Sequence, residues 1–354
     1  MKTILVTGGA GYIGSHTVVE LLNAGYKAII IDNLCNSSAE SVKRIAKICK
    51  KAPVFYKGDV RNKALLHRIF NEHKIDAAVH FAGLKAVGES VAIPLKYYEN
   101  NLISTLKLLE VMAEVGCKKF VFSSSATVYG SPERLPITED CALRTTNPYG
   151  ATKLMIENIL TDLHFADPAW DIALLRYFNP VGAHESGLIG EDPQGIPNNL
   201  VPYIARVAAG TLECLSVYGD DYGTPDGTGK RDYIHITDLA RGHVAAIRKL
   251  DGLGCEAINL GTGESYSVLE VVRAYEKACG HEIARKIVGR RGGDIAECYA
   301  DASKAAGLLG WKAEKGLDEM CRDTFRWQSK NPCGFKGKQT KRQAAQTGFA
   351  EYYA

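Results

Sequence analysis

The sequence has little net charge, no long apolar run and no paired cysteines. Its 43 Lys and Arg residues nearly balance its 40 Asp and Glu residues, which leaves a net charge of +3. Because no overall field would hold nucleic acid or an anionic membrane, we expect neither as a partner. Purely apolar stretches are short, such as residues 28–31, and the N-terminus has no leader of charged and then apolar residues. We therefore expect a cytoplasmic protein without a membrane-spanning segment.

Several common site signatures are also missing. The ten cysteines are scattered, with no C-x-x-C pair and no clustering with the nine histidines, which favours a reducing compartment and excludes a zinc site or a disulfide framework. There is no G-x-S-x-G or H-E-x-x-H motif. The glycine cluster at 223–231 fails the phosphate-loop spacing, because residue 224 is Thr and Arg231 follows Lys230. We expect no metal and no nucleoside triphosphatase.

Short apolar strands alternate with helices over the first half of the chain. We predict strands at 3–7, 27–31, 54–56, 76–81, 120–123 and 172–177, with helices at 13–22, 39–50, 63–72, 95–115 and 149–166. Strands without polar alternation, separated by helices, form a parallel sheet covered on both faces. The predicted fold class is therefore α/β, a Rossmann-type doubly wound parallel sheet followed by a smaller α/β substrate-binding domain.

The regular alternation of strands and helices ends after residue 178. Residues 179–231 are rich in Gly, Pro, Asn and Asp, and we predict there one helix at 201–209 and one strand at 214–218. Further elements follow at 233–236, 239–250, 257–260 and 268–278. We assign 1–180 to the first domain, with some elements from about 232–262 returning to it, and 181–330 to the second. Residues 331–354 are polar and mildly basic, and we expect a loosely ordered tail.

A glycine turn joins the first predicted strand to the first helix. Gly8, Gly11 and Gly14 are spaced as G-x-x-G-x-x-G. A pyrophosphate needs backbone N–H groups at close range and the positive end of a helix, and residues without Cβ allow that approach. The turn therefore predicts a dinucleotide site.

Two acids follow the next strands. Asp32 closes the second strand 21 residues after Gly11, where a carboxylate accepts from both ribose hydroxyls and repels a 2′-phosphate. This favours NAD over NADP. Asp59 ends the next strand unit, where an adenine contact and a helix N-cap are both open interpretations.

A Tyr-x-x-x-Lys pair begins the fifth predicted helix. The i, i+4 spacing puts Tyr149 and Lys153 on one helical face. An adjacent ammonium and the positive ring of an oxidised nicotinamide both favour the phenolate, so we expect the pKa of Tyr149 to move towards neutrality. Ser123, Ser124 and Ser125 lie at the carboxyl end of the fifth strand, where a hydroxyl would share a hydrogen bond with the substrate and the phenol. Tyr149 is then the acid/base for an alcohol that loses a hydride.

These residues carry a family resemblance. The glycine turn with Tyr149-x-x-x-Lys153 resembles the extended short-chain dehydrogenase/reductase family, and longer blocks at 80–90, 122–129, 176–184, 192–200 and 229–235 resemble the members of that family that invert C4 of UDP-galactose and UDP-glucose. The resemblance runs from residue 3 to about residue 330. It implies permanently bound NAD, a 4-keto intermediate, no net redox and a place in galactose metabolism.

The resemblance also implies roles for individual residues. Tyr149 is the acid/base and Ser125 is the hydroxyl partner. Lys153 adjusts the pKa of Tyr149 and binds the nicotinamide ribose. The implied cofactor contacts, besides Ser125, Tyr149, Lys153 and the glycines Gly8, Gly11 and Gly14, are Tyr12, Ile13, Asp32, Asn33, Leu34, Cys35, Asn36, Ser37, Asp59, Val60, Phe81, Ala82, Gly83, Leu84, Lys85, Asn100 and Phe178. The implied substrate contacts, besides Lys85, Ser125 and Tyr149, are Asn179, Asn199, Leu200, Leu215, Tyr218, Arg231, Arg291, Asp294 and Cys298.

Some of these substrate contacts have a chemical rationale of their own. Arg231 and Arg291 offer charge-assisted bonds to a diphosphate, and Tyr218 offers an aromatic face to uracil. Cys298 stands where many relatives have a bulky Tyr shortly after the Arg-Arg-x-Gly-Asp motif. The smaller side chain predicts room for a 2-acetamido group, and hence activity on UDP-GlcNAc and UDP-GalNAc as well.

Two other functions stay open, together with the assembly. A nucleotide-sugar dehydratase uses the same cofactor and Tyr/Lys pair, but its carboxylic acid beside the fifth-strand hydroxyl is absent from Ser124-Ser125-Ala126-Thr127. A non-catalytic NAD-sensing module is the other alternative. The helices at 95–115 and 149–166 have apolar residues on more than one face, including Leu102, Leu106, Leu109 and Val111 on the first and Leu154, Ile159, Leu160 and Leu163 on the second. Burial against the sheet explains such faces, whereas the resemblance implies a homodimer joined as a four-helix bundle.

Overall fold

The structure, a computed structural model, describes residues 1–336. The strands in this part are β1 Thr3–Thr7, β2 Lys27–Asp32, β3 Val54–Lys57, β4 Ala77–His80, β5 Lys119–Ser125, β6 Asp171–Tyr177, β7 Asn179–Val181, β8 Leu215–Tyr218, β9 Lys230–Arg231, β10 Tyr233–His235, β11 Cys255–Leu260, β12 Tyr266–Ser267, β13 Arg285–Val288 and β14 Glu297–Cys298. The helices are α1 Tyr12–Asn23, α2 Ala39–Cys49, α3 Lys63–Glu72, α4 Val87–Ala92, α5 Pro94–Glu114, α6 Pro148–Ala166, α7 Leu200–Ala208, α8 Ile236–Lys249, α9 Val268–Cys279, α10 Ser303–Leu309 and α11 Leu317–Lys330, with 3₁₀ turns at Ala126–Tyr129 and Gly334–Lys336.

Seven parallel strands form the central sheet. Their order is β11-β6-β5-β4-β1-β2-β3, and each neighbouring pair is parallel. The chain reverses its direction across the sheet between β1 and β4, which opens a crevice at the carboxyl ends of the strands. The predicted doubly wound α/β fold is confirmed, and β11 lies at the edge of this sheet.

The central strands of the sheet are buried on both faces because their middle residues are apolar without alternation, as in residues 4–6 of β1 and 28–31 of β2. Ile4 and Val6 of β1 pack into one apolar cluster with α1 and α8, while Leu5 between them packs into a second cluster with α3, α5 and α6. Successive side chains of a strand point to opposite faces, so a continuous apolar run feeds two cores. This arrangement fixes the crevice between two helical layers.

A second group of elements lies over the carboxyl edge. Helices α7, α9 and α11 pack with β8 into a third apolar cluster that contains Ile204, Val271 and Met320. Helices α9 and α11 pack against each other. The short strand β9 pairs with β12 and β14, which lie far from it in the sequence. The sheet β12-β9-β14 and the pair β13-β8 lie in this region.

The C-terminal segment is held down as far as it is described. Phe335 packs on Trp327 with ring centroids 4.9 Å apart, and Asn331 donates to the carbonyls of Gly187 and Trp327 at 2.9 Å. Residues 331–336 are therefore packed, contrary to the expected loose tail. Residues 337–354 of that predicted tail lie outside the described residues.

Residues 1–336 contain neither a membrane-spanning helix nor a cluster of metal ligands. No helix there is long and apolar enough to cross a membrane. The same part of the chain contains no group of three or more His, Cys, Asp or Glu residues arranged to hold a metal ion.

Candidate active site

The glycine turn between β1 and α1 is a close-packed backbone cradle. Gly8 has φ +67°, and a Cβ there would lie 2.8 Å from the amide nitrogen of Ala82. A Cβ on Gly14 would lie 2.3 Å from the carbonyl oxygen of Gly8, so neither position accepts a side chain. Helix α1 begins after Gly11 with no side-chain cap and no acid in its first turn. Its first N–H groups are therefore directed at the crevice and suit an anion.

Asp32 lies beside this turn at the end of β2. Its carboxylate is buried and accepts from the backbone N–H of Ala10 at 3.0 Å, that of Leu34 at 2.9 Å and the hydroxyl of Ser37 at 2.8 Å. These bonds hold the carboxylate at the carboxyl edge of the sheet. The predicted run of residues 32–37 forms one loop around it, with Asn33, Cys35 and Asn36 exposed.

Asp59 is bound by a neighbouring arginine. Its carboxylate accepts from Arg61 Nε at 3.0 Å and Nη2 at 2.8 Å, and from Asn33 Nδ2 at 3.2 Å. The Arg61 guanidinium lowers the pKa of Asp59 to about 2. The N-cap of α3 is Asn62, whose side chain accepts from the backbone N–H of Leu65. The helix-cap interpretation of Asp59 is therefore wrong, and Asp59 lies near Asn33 of the Asp32 loop, with Val60 beside it in the core.

Residues 81–85, which come directly after β4, pack against the glycine turn. The backbone N–H of Ala82 donates to Thr7 Oγ1 at 3.2 Å. Asn101 Oδ1 accepts from the N–H of Leu84 at 2.8 Å, and Asn101 Nδ2 donates to the Leu84 carbonyl at 3.1 Å. The predicted Asn100 donates to Asn101 Oδ1 at 3.1 Å. Asn101, which the sequence analysis missed, therefore fixes the segment that contains Phe81, Gly83 and Lys85.

Tyr149, Lys153 and Ser125 come together at the carboxyl edge. Tyr149 lies in the first turn of α6, whose cap Asn147 accepts from the N–H of Gly150 at 2.9 Å. Lys153 Nζ donates to the carbonyl of Ser123 at 2.6 Å and lies 5.8 Å from the ring centroid of Tyr149. Ser125 Oγ accepts from the N–H and the hydroxyl of Thr127 at 3.2 and 3.0 Å. The structure thus brings the three predicted catalytic residues to one place.

Burial controls the protonation of this group in the protein alone. Burial raises the pKa of Tyr149 to about 12, and a hydrogen bond with Ser125 opposes the rise. Burial also lowers the pKa of Lys153 to about 8, against the opposing charge of Glu157. In the protein alone, loss of hydration therefore outweighs the hydrogen bond with Ser125. The expected lowering of the Tyr149 pKa concerns the protein with oxidised nicotinamide bound and stays a prediction.

A buried ion pair between β6 and α6 lies next to β5, and it was not predicted from the sequence. Arg176 of β6 donates to Glu157 of α6 from Nε at 3.0 and 3.2 Å and from Nη2 at 2.6 Å. Only 5% and 3% of these side chains are exposed. Ser124 Oγ donates to the same carboxylate at 2.5 Å, so the pair fixes β5 immediately before Ser125.

The predicted diphosphate arginines meet at one acid. Arg291 donates to Asp294 from Nη2 at 2.9 Å and from Nε at 3.2 Å. Arg231 Nη2 lies 3.8 Å from the same carboxylate, and Arg231 Nη1 donates to the carbonyl of Ile295 at 2.8 Å. The Arg291 guanidinium lies 5.6 Å from the ring centroid of Tyr218, which is 46% exposed. Leu215, in the same strand, is buried in the third cluster, so its backbone alone faces this region.

Cys298 connects the two halves of the site. It pairs with Arg231 in the parallel β14–β9 ladder, and it packs with Ala126 against a buried cluster that contains Phe178 and Tyr129. Burial raises the pKa of the Cys298 thiol to about 11. Asn179 follows Phe178 and is exposed, and its backbone N–H donates to the Asp232 carbonyl at 3.1 Å. Through Cys298, the strands that contain Arg231 and Cys298 pack against the cluster that Ala126, the residue after Ser125, also contacts.

Lys85 and Asn199 meet at a residue that the sequence analysis missed. Glu191 Oε1 lies 3.0 Å from Lys85 Nζ and accepts from Asn199 Nδ2 at 3.5 Å. Asn199 caps α7 without a hydrogen bond from its side chain to the helix backbone, and Leu200 begins that helix. A cavity of about 390 Å³ is lined by residues 191–196 together with Tyr12, Val201 and Trp327, so Glu191 borders this cavity and also contacts Lys85 and Asn199.

Comparisons with known proteins identify the family. The sequence model described as GDP-mannose 4,6 dehydratase matches residues 5–324. The UDP-glucose 4-epimerase of Bacillus subtilis (strain 168) is 62% identical over 334 residues, which cover 94% of this chain and 98% of that protein. The chain belongs to the UDP-glucose 4-epimerase family. The resemblance to extended short-chain dehydrogenases/reductases is thereby confirmed.

Solved structures of UDP-glucose 4-epimerases share the fold over nearly the whole chain. The enzyme of Bifidobacterium longum, solved with NAD⁺ and UDP, has a TM-score of 0.91 at 61% identity and covers 94% of this chain and 100% of its own. The UDP-Glc/GlcNAc 4-epimerase of Campylobacter jejuni has a TM-score of 0.83 at 37% identity, covering 93% and 100%. The shared fold therefore includes both the sheet and the elements over its carboxyl edge.

Proposed function

We propose that the protein interconverts UDP-galactose and UDP-glucose by inverting C4 through a 4-keto intermediate with tightly bound NAD, a reaction of galactose metabolism. The observation that carries the proposal is the convergence of Tyr149, Lys153 and Ser125 at the crevice beside the glycine turn. High identity to UDP-glucose 4-epimerases over 94% of the chain supports it.

The residues around the crevice fit NAD. The backbone cradle at Gly8, Gly11 and Gly14 and the uncapped start of α1 at Tyr12 and Ile13 suit a pyrophosphate. The Asp32 carboxylate suits a ribose with free hydroxyls, with Asp59 and residues 33–37 beside it. Lys153 would hold the nicotinamide ribose, and residues 81–85, Asn100 and Phe178 complete the contacts. The chemistry that NAD supplies when bound is reversible hydride acceptance, so the sugar is oxidised and reduced without net redox.

Tyr149 takes the proton of the 4-hydroxyl and returns it. In the protein alone the phenol is protonated at neutral pH, since its pKa is about 12. Lys153 and the Ser125 hydroxyl stabilise the phenolate during proton transfer, and the positive nicotinamide ring adds to their effect. One base suffices, because the ketone turns over between removal and return of the same proton.

Turnover of the sugar requires a firmly held nucleotide and a loosely held hexose. Arg231, Arg291 and Asp294 form one charged group, which we assign to the diphosphate and the uridine ribose. The exposed ring of Tyr218 would stack on uracil, beside the backbone of Leu215. Asn179, Asn199 and Leu200 supply the remaining polar contacts along the diphosphate.

The acetamido sugars are a second substrate class for the same site. Cys298 packs against the buried cluster that contains Phe178, as does Ala126, the residue after Ser125, and its thiol is smaller than the phenol ring that the resemblance implies for many relatives at this position. The Campylobacter jejuni relative is described as a UDP-Glc/GlcNAc 4-epimerase. We therefore extend the proposal to UDP-GlcNAc and UDP-GalNAc.

A homodimer through α5 and α6 completes the proposal. Leu109, Val111 and Leu160 are buried against the sheet, as the alternative interpretation of these helices required. An outer apolar face remains, with Leu95 82%, Ile103 37%, Leu106 36% and Met155 43% exposed. Two such faces would form a four-helix bundle. Leu106→Lys should shift light-scattering mass from two chains to one, while Ile287→Lys, at an exposed site on β13, should not; equal mass for all three proteins would contradict the dimer.

The experiment that tests the function is proton NMR of the purified protein with UDP-galactose and no added cofactor. Appearance of UDP-glucose is expected, and it requires both C4 inversion and retained NAD. A 4-keto-6-deoxy product would instead assign a dehydratase, which the family description allows, although Ser125 is followed by Ala126 and Thr127 and not by an acid. No product, even with added NAD and acetamido sugars, would favour an NAD-sensing module. Cytoplasmic location and the division of the chain at residue 180 remain part of the proposal.

A further inference from the structure

Helix α2 connects the Asp32 loop to the loop that contains Glu191. The helix begins after Ser38, whose side chain accepts from the N–H of Glu40 at 3.2 Å. Ser41 of its first turn donates to the carbonyl of Ala10 in the glycine turn at 2.7 Å. The helix is thereby fixed to the proposed cofactor site at its N-terminal end. Its next turn contains Arg44, whose side chain contacts Leu188 and Asn331 and not the proposed cofactor site.

Arg44 reaches a part of the chain 144 residues away. Its Nη1 donates to the carbonyl of Leu188 at 3.0 Å and to Asn331 Oδ1 at 2.6 Å, while Nε donates to Glu40 at 3.1 Å. The guanidinium also lies 5.7 Å from the ring centroid of Trp327. Only 13% of the side chain is exposed. Arg44 therefore holds the loop before Glu191 through its bond to Leu188, while its planar guanidinium also binds Asn331 and Glu40.

The loop itself has little freedom to move independently of these contacts. A Cβ on Gly190 would lie 2.4 Å from the Trp327 ring, and Trp327 Nε1 donates to the Glu191 carbonyl at 3.1 Å. Asp192 Oδ2 accepts from the N–H of Phe335 at 2.9 Å. The backbone on both sides of Glu191 is held, which directs its side chain to Lys85 and Asn199.

We propose that Arg44 is a positioning residue for the UDP-sugar: it holds the loop at Leu188 so that Glu191 keeps Lys85 and Asn199 in place beside the substrate. The inference rests on the proposed function, which assigns Asn199 to the substrate and residues 81–85 to the cofactor; the family resemblance implies that Lys85 also contacts the substrate. Arg44 touches neither substrate nor cofactor in this account. Its loss should weaken substrate binding and leave proton transfer at Tyr149 unchanged.

Arg44→Met and Arg44→Lys test this proposal. We expect the KM for UDP-galactose to rise by about tenfold in both variants, which corresponds to about 1.4 kcal/mol of lost binding free energy. The kcat should stay within about twofold, because the interaction acts equally on the bound ground state and transition state. The affinity for UDP, measured by calorimetry on the holoprotein, should fall by the same factor as KM rises, with bound NAD per chain unchanged.

A double-mutant cycle shows whether Arg44 acts through Glu191. Glu191→Gln should raise the KM by itself, and Arg44→Met should add little in that background, whereas independent residues give additive effects. Arg68→Met is the control, since Arg68 also pairs with an acid four residues on, at 2.7 Å, and lies 5.9 Å from the ring centroid of Tyr56, away from the site. It should leave KM, kcat and UDP affinity unchanged.

Three outcomes would overturn the proposal. Unchanged KM and UDP affinity in both Arg44 variants would do so, as would additive effects in the cycle. A fall in melting temperature and kcat together, with KM constant, would show a purely structural role. Should wild-type protein not turn over UDP-galactose, the proposed function fails, while the UDP affinities of the variants still decide whether Arg44 positions the nucleotide site.

Discussion

Lys153 Nζ donates to the backbone carbonyl of Ser123 at 2.6 Å, in a site where only 6% of the lysine is exposed. The ammonium is thereby held under the Tyr149 ring and two residues from Ser125. Burial lowers the pKa of Lys153 to about 8, so the charge that helps to form a phenolate is expensive to keep in the folded protein. Function and stability are opposed at this residue.

Removing this charge should change the pH dependence of stability. The folded pKa of Lys153 lies below its ordinary value of 10.5, so the folded state binds its proton less tightly than the unfolded chain. The cost is therefore full below about pH 8 and shrinks as the pH rises towards 10.5. In protein stripped of NAD, the unfolding free energy of Lys153→Met relative to wild type should fall by about 2 kcal/mol between pH 7 and pH 10. Urea unfolding at both pH values measures it.

Lys96→Met is the control for that experiment, because 57% of the Lys96 side chain is exposed on α5. Its difference from wild type should be nearly constant between the two pH values. A constant difference for Lys153→Met as well would show that the folded protein does not penalise the buried ammonium.

Tyr149→Phe removes the proton-transfer group while keeping the ring. Turnover of UDP-galactose should fall by about 10²- to 10⁴-fold, the usual contribution of a positioned acid/base. Bound NAD and the melting temperature should change little, because Tyr149 is only half-buried and its ring remains. Initial rates by proton NMR measure the loss, with Tyr56→Phe on β3 as the control. Retention of more than a tenth of the activity would mean that another group moves the proton.

The Glu157–Arg176 pair should be needed for the fold around Ser124. Glu157→Gln leaves the buried Arg176 charge without a partner, and we expect it to cost about 3–5 kcal/mol of unfolding free energy. The double variant Glu157→Leu with Arg176→Met should recover most of this cost, because the isolated charge is gone. Urea unfolding measures both. Glu72→Gln, which breaks the exposed pair with Arg68, should cost less than about 1 kcal/mol; an equal cost at both sites would contradict the argument.

The central sheet could be predicted because its information is local. A run such as residues 3–7 has no charged residue, three apolar residues at its centre and glycines directly after it, and these features act within a few residues. The helices α10 and α11 were not predicted, although α11 spans Leu317–Lys330. Strands such as β9 and β14 have two residues each, so they carry no periodicity. Only their pairing, between residues 67 positions apart, defines them.

The site residues also fall into those that local sequence spacing predicts and those that depend on distant contacts. Tyr149 and Lys153 were found because helical spacing alone puts them on one face. Glu191 and Asn101 were missed, because their importance lies in contacts with Lys85 and Leu84 that depend on the folded chain. The direction of the Tyr149 pKa shift in the protein alone was also beyond the sequence, since it depends on how completely the phenol loses water.

Cys298→Tyr should separate the two substrate classes. The new ring would project from the position of Cys298, which packs against the cluster that contains Phe178, and on the proposed function would compete with a 2-acetamido group for the same volume. We expect turnover of UDP-GalNAc to fall by about tenfold or more, an amount typical of a steric change in a pocket, and turnover of UDP-galactose to fall much less. Cys298→Ser, which keeps the small volume, should leave the ratio of the two activities unchanged. Initial rates by proton NMR with each sugar give the ratio, and equal loss on both sugars in Cys298→Tyr would show that this side chain does not set the choice of substrate.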